Sequence, residues 1–389
     1  MTRGAQRTGR VAVIGGAGFI GSHLTDRLVN DGYATRIVDS LEPLVHPGGQ
    51  PPAYLNPQAE FIRQDVRDRD GLHRAMHGTE TIFYLAGAVG VGDSMYKIRH
   101  YAEANVLGAA NLLDILANEK HSVRKVVLAS TVTVYGEGKY SCPRHGIVFP
   151  DIRVNGPVAA DQRAARWEPR CPAKTSSSPC AEQLAPLPIE ETKPLAPLSI
   201  YAATKRAQEE LFLTVGRAYG IPIVVLRYFN VYGSRQAVSN PYTGVAKIFA
   251  ADFASGKSPL LYEDGLQTRD FVHVSDVVEA NLLALEKPQA DGEIFNVGSG
   301  RATTILEACQ AVGRLFPNSP AVESSQQFRA GDVRHSVANI FKIQNRLDFR
   351  PQTFFPACIE DVLPASESPA AAESSSVAHD AMAQRGLIS

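Results

Sequence analysis

Tyr201 and Lys205 stand four positions apart in Ile200-Tyr201-Ala202-Ala203-Thr204-Lys205, where an amphipathic pattern predicts a helix over 201–219. On a helix that spacing puts both groups on one face, one turn apart. A phenol with a pKa near ~10 is a poor base at neutral pH, but a neighbouring ammonium favours the phenolate. A Tyr–Lys pair alone arises by chance on many solvated helices and carries little weight. Two upstream features add to it: a glycine-rich turn at 15–21 and the hydroxyls of Ser130-Thr131 at the end of an apolar run. Together the three pieces point to chemistry on a bound nicotinamide dinucleotide.

The elements that must position these groups follow from the pattern around them. Val11-Ala12-Val13-Ile14 reads as a strand, Gly15-Gly16-Ala17-Gly18-Phe19-Ile20-Gly21 as a turn, and the next residues to about Val29 as an amphipathic helix. Glycines at 15 or 16, 18 and 21 permit a tight turn, close approach to a pyrophosphate and close helix–strand packing, with donors from the helix N-terminus. A second strand, 34–38, ends in Asp39. An acid there binds ribose hydroxyls and repels a 2′-phosphate, which favours NAD over NADP. Arg36 argues the other way but lies within the strand. Further short runs at 61–63, 81–86 and 125–129 alternate with helical stretches such as 101–117. That alternation predicts a doubly wound parallel sheet of the α/β class, with ligands at the carboxyl ends of its strands. Gly15–Gly21, Asp39, Asp65, Ala86-Gly87 and Ser130-Thr131 then share one rim.

In that order, the glycine motif, Asp65-Val66, Leu85-Ala86, Ser130-Thr131-Val132-Thr133-Val134-Tyr135-Gly136, Tyr201-x-x-x-Lys205 and Leu226-Arg227-Tyr228-Phe229-Asn230-Val231-Tyr232-Gly233 resemble the extended short-chain dehydrogenase/reductase family. Within it they resemble the nucleotide-sugar epimerases and dehydratases, over about residues 10–350. The resemblance implies a Rossmann-type domain over 10–220, a smaller α/β substrate domain over 221–360, and a homodimer. It implies tightly bound NAD held by Gly15, Gly18, Phe19, Ile20, Gly21, Asp39, Asp65, Val66, Leu85, Ala86, Tyr201, Lys205 and Tyr228. It makes Thr131, Tyr201 and Lys205 the catalytic set, with Ser130 as the neighbouring substrate contact. Asn230 and Tyr262 would meet the sugar nucleotide, Arg269 and Arg329 its diphosphate, with Asp332 in the same segment. Each arginine taken alone reads more readily as a surface charge. A 4,6-dehydratase resembles Thr-Asp-Glu where this chain has Thr131-Val132-Thr133, and neither Val132 nor Thr133 can do that proton transfer. The expectation is a 4-epimerase. A decarboxylating or C5-epimerising variant, a 4-ketoreductase and a non-catalytic NAD-bound scaffold remain open.

Residues 137–197 interrupt the family pattern with ten of the 25 prolines, the only tryptophan and three of the five cysteines. Cys142-Pro-Arg-His145 and Arg170-Cys171-Pro-Ala-Lys174 look like two knuckles of a zinc module. Inserts of this kind resemble those of dTDP-L-rhamnose 4-epimerases and their relatives, which makes a dTDP-hexose the expected substrate. There the second knuckle is Cys-Pro-x-Cys; here Lys174 holds its last position. Zinc needs four ligands, so the candidates are Cys142, His145, Cys171 and, at irregular spacing, Cys180. A Pro-rich loop with a degenerate metal site is the competing reading.

Over 389 residues, 39 basic groups nearly balance 40 acidic ones, so no global field favours nucleic acid or an anionic membrane. No apolar run is long enough to span a bilayer and no secretory pattern opens the chain. Five cysteines are an odd, sparse set without a disulfide framework. These features lead to a cytoplasmic protein as the expectation. Residues 1–9 read as a short leader. The Ala/Ser/Glu/Pro-rich 364–389 reads as a disordered tail, with Met382–Leu387 open as a docking segment.

Overall fold

Alternate residues of the apolar runs serve two different cores. Val11 and Val13 pack on one side of a sheet while Ala12 and Ile14 pack on the other, and Phe83 is likewise opposed to Ile82 and Tyr84. A strand covered on both faces reads as a continuous apolar run, as these do. The computed structural model describes residues 9–150, 167–175, 178–180, 182–237, 244–322, 324–363 and 379–388. Its large sheet has seven strands: β1 Arg10–Ile14, β2 Ala34–Asp39, β3 Glu60–Arg63, β4 Thr79–Tyr84, β5 Lys125–Thr131, β6 Ile223–Tyr228 and β7 Ile294–Val297. The spatial order is β7-β6-β5-β4-β1-β2-β3, every pair parallel. The chain winds outward from β1 to β3, then crosses back to β4 and winds the other way. Ligands bind where that reversal opens a crevice at the strand ends.

Helices α1 Phe19–Asn30, α2 Arg69–Ala75, α3 Gly108–Asn118, α4 Ile200–Tyr219, α5 Val245–Ala254, α6 Val274–Glu286 and α7 Ile305–Gly313 complete the frame. Leu24 and Leu28 of α1 join Val277 and Leu282 of α6 on one sheet face. Leu72, Leu112 and Phe212, from α2, α3 and α4, cover the other. The large sheet does not stop at residue 220: β6, β7 and α6 come from the half of the chain expected to serve the substrate. The smaller lobe is what remains, a core of Phe249, Phe253, Phe271 and Val312 around α5 and α7.

Two expectations change. The helix over 101–117 begins at Ile98 and carries a π-helical turn at Ala102–Leu107, an irregularity that 3.6-residue periodicity cannot announce. The tail 364–389 was expected to be disordered, with Met382–Leu387 left open as a docking segment, and His379–Ile388 packs back on the body. Ala330 N–H donates to Leu387 O at 2.8 Å, and Met382 is buried. The apolar Met382 and the backbone pairing of Arg329 with Ile388 give this short segment the anchor its composition did not reveal. The leader 1–8, Ser239–Thr243 and 364–378 lie outside the described residues. Among the described residues no helix is long and apolar enough to cross a membrane.

Candidate active site

At the β1–α1 turn the ligand surface is backbone. Gly15 has φ +84°, and a Cβ there would lie 2.7 Å from Ala86 N; at Gly21 a Cβ would lie 2.3 Å from Gly15 O. At Gly18 the nearest atom to such a Cβ is Gly15 O at 3.5 Å, an ordinary van der Waals contact, so the turn is less crowded there. Helix α1 starts behind Gly18 without a side-chain cap, so its first-turn N–H groups at Phe19, Ile20 and Gly21 line the cleft as an anion cradle. Asp39, at the end of β2, accepts from Ala17 N–H at 3.0 Å and Leu41 N–H at 2.9 Å. That fixes its carboxylate beside the turn, where a ribose diol would be held. Arg36 is buried and turned away, bonded to Glu60 and to the carbonyls of Ala75 and His77, so it cannot meet a 2′-phosphate. Burial acts to raise the Asp65 carboxyl, but Arg67, bonded to it at 2.6 Å, holds it below the usual range. The donor set, the close backbone approach at Gly15 and Gly21 and the acid at Asp39 fit NAD.

Thr131 ends β5, where the chain breaks from the sheet into the turn Val132–Tyr135. Its Oγ1 caps that turn by accepting from Thr133 N–H at 3.2 Å. Helix α4 brings Tyr201 and Lys205 to the same place: Ser199 caps it through Ala202 N–H, Gly220 ends it in the left-handed region, and its buried face carries both groups. The Tyr201 phenol stands close to Thr131; burial pushes it up to about 12, and the Thr131 hydroxyl pulls the other way. Burial brings Lys205 down to about 8 against the attraction of Glu209. Lys205 was expected to lower the tyrosine. Instead its ammonium donates to Gln208 Oε1 at 2.5 Å, and desolvation dominates both groups.

Ser130, one residue along the strand, points to the opposite side, where its hydroxyl donates to Glu209 at 2.5 Å. There Glu209 also pairs with the buried Arg227 at 2.6 Å, and Arg227 with the Tyr135 hydroxyl at 2.9 Å. Ser130 therefore ties the site to the sheet, and the substrate contact expected of it is not made by its hydroxyl. Tyr228 lines the cleft with its ring, while its hydroxyl is held by Asn281 at 2.9 Å.

Asn105 was not anticipated. The π turn directs its amide onto Ala88 N–H and O, at 2.7 and 3.1 Å, and onto Thr204 Oγ1 at 2.9 Å. Gln208 donates to its carbonyl at 2.7 Å, so the loop after β4 and the Lys205 helix form one network.

The cleft, about 650 Å³, continues past Thr131 into the smaller lobe. Asp332 receives Arg269 at 2.7 Å and Arg329 at 2.9 Å, leaving an excess of positive charge. Arg269 is buried and also donates to the carbonyls of Thr268, Arg334 and Val333, so it braces this wall; Arg329 is the more exposed. Arg329 lies over the Tyr262 ring, whose hydroxyl meets His379 Nδ1 at 3.1 Å. The amide oxygens buried without a hydrogen-bond partner among the described residues include Asn230 Oδ1 and Gln267 Oε1. Both residues line the cleft and offer acceptors to a hydroxyl- or N–H-rich ligand. Gln267 and His379 were also not anticipated. Every expected catalytic, cofactor and substrate residue thus lines the one cleft.

The NAD dependent epimerase/dehydratase family matches residues 11–167 and 173–298. The chain belongs to that family. It is 32% identical over 345 residues to a dTDP-L-rhamnose 4-epimerase of Burkholderia thailandensis, covering 88% of this chain and 91% of that one. It is 31% identical over 361 residues to a UDP-N-acetyl-alpha-D-glucosaminuronate decarboxylase of Bacillus cytotoxicus, covering 91% and 96%. The structure of Thermotoga maritima UDP-glucose 4-epimerase with UDP-glucose superposes with TM-score 0.71 at 30% identity, covering 91% and 97%. The Thermus thermophilus UDP-glucose 4-epimerase with NAD gives 0.68 at 29%, with the same coverage. Family members of this kind are enzymes, and the Rossmann-type architecture is common to them all.

Proposed function

We propose that this protein is an NAD-dependent nucleotide-sugar 4-epimerase acting through a transient 4-keto sugar, with dTDP-L-rhamnose or a related dTDP-hexose as substrate. The observation that carries the reading is the meeting of Thr131 and Tyr201 midway along a cleft with a dinucleotide cradle at one end and the Arg329–Asp332 wall at the other. The 4-hydroxyl of a hexose has no acidic C–H beside it, so inversion there needs a temporary ketone. NAD, when bound, supplies the hydride acceptor and donor at C4 and a positive ring that favours the Tyr201 phenolate.

The chain's own residues do the rest. Tyr201 takes the O4 proton and returns it, Thr131 orients O4, and Lys205 keeps a positive charge within reach of the phenol and the cofactor ribose. Asn230 and Gln267 offer acceptors to the sugar nucleotide, and Arg329 offers a guanidinium to its diphosphate. No carboxylate follows Thr131: Val132 packs with Tyr135 and Ile189, and Thr133 bonds Thr131. That favours epimerisation over 4,6-dehydration. The dTDP-hexose reading is supported by the Burkholderia relative and by the insert.

The test is turnover of a panel of UDP- and dTDP-hexoses by purified protein without added cofactor. The expected product is the C4 epimer, and Tyr201→Phe should lower kcat by about 10³-fold, within the range of general-base loss, with cofactor retained. Full activity in Tyr201→Phe, or turnover only when NADPH is supplied, contradicts the reading.

A further inference from the structure

We propose that Cys142, His145, Cys171 and Cys180 bind one structural Zn²⁺ that staples the insert against the substrate wall. The four ligand atoms lie within 4.8 Å of one another. His145 Nδ1 stands 3.5 Å from Cys142 Sγ and 3.4 Å from Cys171 Sγ, and the Cys142 and Cys180 sulfurs are 3.9 Å apart. A tetrahedral zinc with Zn–S ≈ 2.3 Å and Zn–N ≈ 2.0–2.1 Å has ligand–ligand edges of roughly 3.5–3.8 Å. These three separations lie within about 0.1 Å of those edges. The Cys142–Cys180 separation far exceeds a disulfide's ~2.05 Å, and a disulfide would leave Cys171 and the imidazole unexplained.

The backbone shows how a ligand that looked missing is supplied. Cys142 ends the strand Lys139–Cys142, which pairs with Gly146–Val148, so His145 sits in the tight turn beside it. After Cys171 the chain runs out into a hairpin, Lys174–Thr175 against Ser178–Pro179, and returns. Cys180 N–H then donates to Ala173 O at 3.4 Å. The hairpin absorbs the extra residues, and Cys180 fills the place that Lys174 vacates. Among the described residues, and apart from the three thiols, the buried apolar cluster here is Tyr140, Val148 and Leu184, with Ala173 partly buried against it. A core that small needs a staple to hold a fixed shape.

The module's fixed shape reaches the cleft. Tyr140, two residues before Cys142, donates to Glu137 at 2.8 Å, and Glu137 accepts from Arg334 N–H at 3.0 Å. Glu168, three residues before Cys171, accepts from Arg334 Nε at 2.7 Å and meets His335 Nε2 at 2.9 Å. The same strip continues into Val333 and Asp332, which hold Arg269. The metal would therefore fix the far side of the wall that carries Arg329.

Metal analysis of protein purified without chelator should give about one zinc per chain; below about a tenth of an equivalent overturns the site. Cobalt substitution should give the visible bands of a tetrahedral thiolate complex, and Cys180→Ser should lose both metal and bands. If that variant does not fold, the unmodified protein decides. A thiol reagent should modify only the exposed Cys358 at first and three further cysteines after chelation. Equal reactivity before and after chelation, or a mass two units light from a Cys142–Cys180 disulfide, overturns the proposal. Chelation should also speed amide hydrogen exchange at 333–336 by at least about tenfold while 10–21 is unchanged. Unchanged exchange at 333–336 overturns the link to the substrate wall. None of these readouts depends on which sugar is turned over.

Discussion

At one end of the cleft the ligand surface is made by removing side chains, and at the other by converging them. The β1–α1 turn works because Gly15 and Gly21 have no Cβ where Ala86 and Gly15 backbone approach. The substrate wall works because Asp332 holds its neighbour Arg329 and, from a distant segment, Arg269, braced from behind by Arg334 and Glu168. The first surface is rigid by exclusion and tolerates no added atom at Gly15 or Gly21. The second is a side-chain network, so single changes there should reduce fit before they abolish it.

The joint between the two should be the most fragile point. Glu209 and Arg227 form a buried pair that also holds Ser130 and Tyr135. Glu209→Gln leaves the guanidinium unpaired and should destabilise the protein by about 3–5 kcal/mol in denaturant melts. At the cradle, Gly21→Ala drives a methyl to 2.3 Å from a carbonyl oxygen of the backbone. Overpacking of that kind costs about 1–3 kcal/mol, and cofactor recovered with the purified protein should fall by at least about tenfold. On the wall, Arg329→Lys keeps the charge and loses the fork; KM should rise about tenfold, worth about 1.4 kcal/mol, with kcat nearly unchanged. An equal loss in kcat would move Arg329 from the binding surface into the chemistry.

The smallest effect expected is a pH dependence behind the wall. Burial acts to raise Glu168, but its His335 hydrogen bond and the Arg334 charge hold it down at about 2. A carboxyl depressed on folding contributes stability above its unfolded pKa and loses it as pH falls through the folded value. The contribution is therefore present above about pH 4.5 and fades toward pH 2. The carboxylate is 39% exposed, so screening keeps it to about 1 kcal/mol or less. Melting temperatures of Glu168→Gln should show a shallower acid slope than the parent; an unchanged slope would remove Glu168 from the brace.

The same contrast explains what could be read from the chain beforehand. Gly15, Gly18, Gly21 and Asp39 were legible because their constraints are local: a turn, a helix start and a strand end lie within a few residues of each. Tyr201 and Lys205 were legible through helix spacing. The opposite orientation of Ser130 and Thr131 was in principle legible too, since neighbouring strand residues face opposite sides. Asn105 was not, because its use depends on a π turn, and His379 was not, because only the tertiary fold brings it to Tyr262; Gln267, bonded to Tyr262 O only five residues away, was missed although its contact is local. Cys180 needed the hairpin that shortens its path. The docking of His379–Ile388 depends on a surface supplied by Arg329-Ala330, which composition cannot reveal.

The measurement that tests the central claim most directly is NMR of dTDP-L-rhamnose and the hexose panel, with the protein in deuterated water and no added cofactor. The account predicts a C4 epimer with hydrogen retained at C4 and no deuterium at C5, because the hydride leaves and returns within the closed site. Deuterium at C5 with loss of water would show an acid/base pair that Thr131-Val132-Thr133 does not supply, and would contradict the epimerase reading.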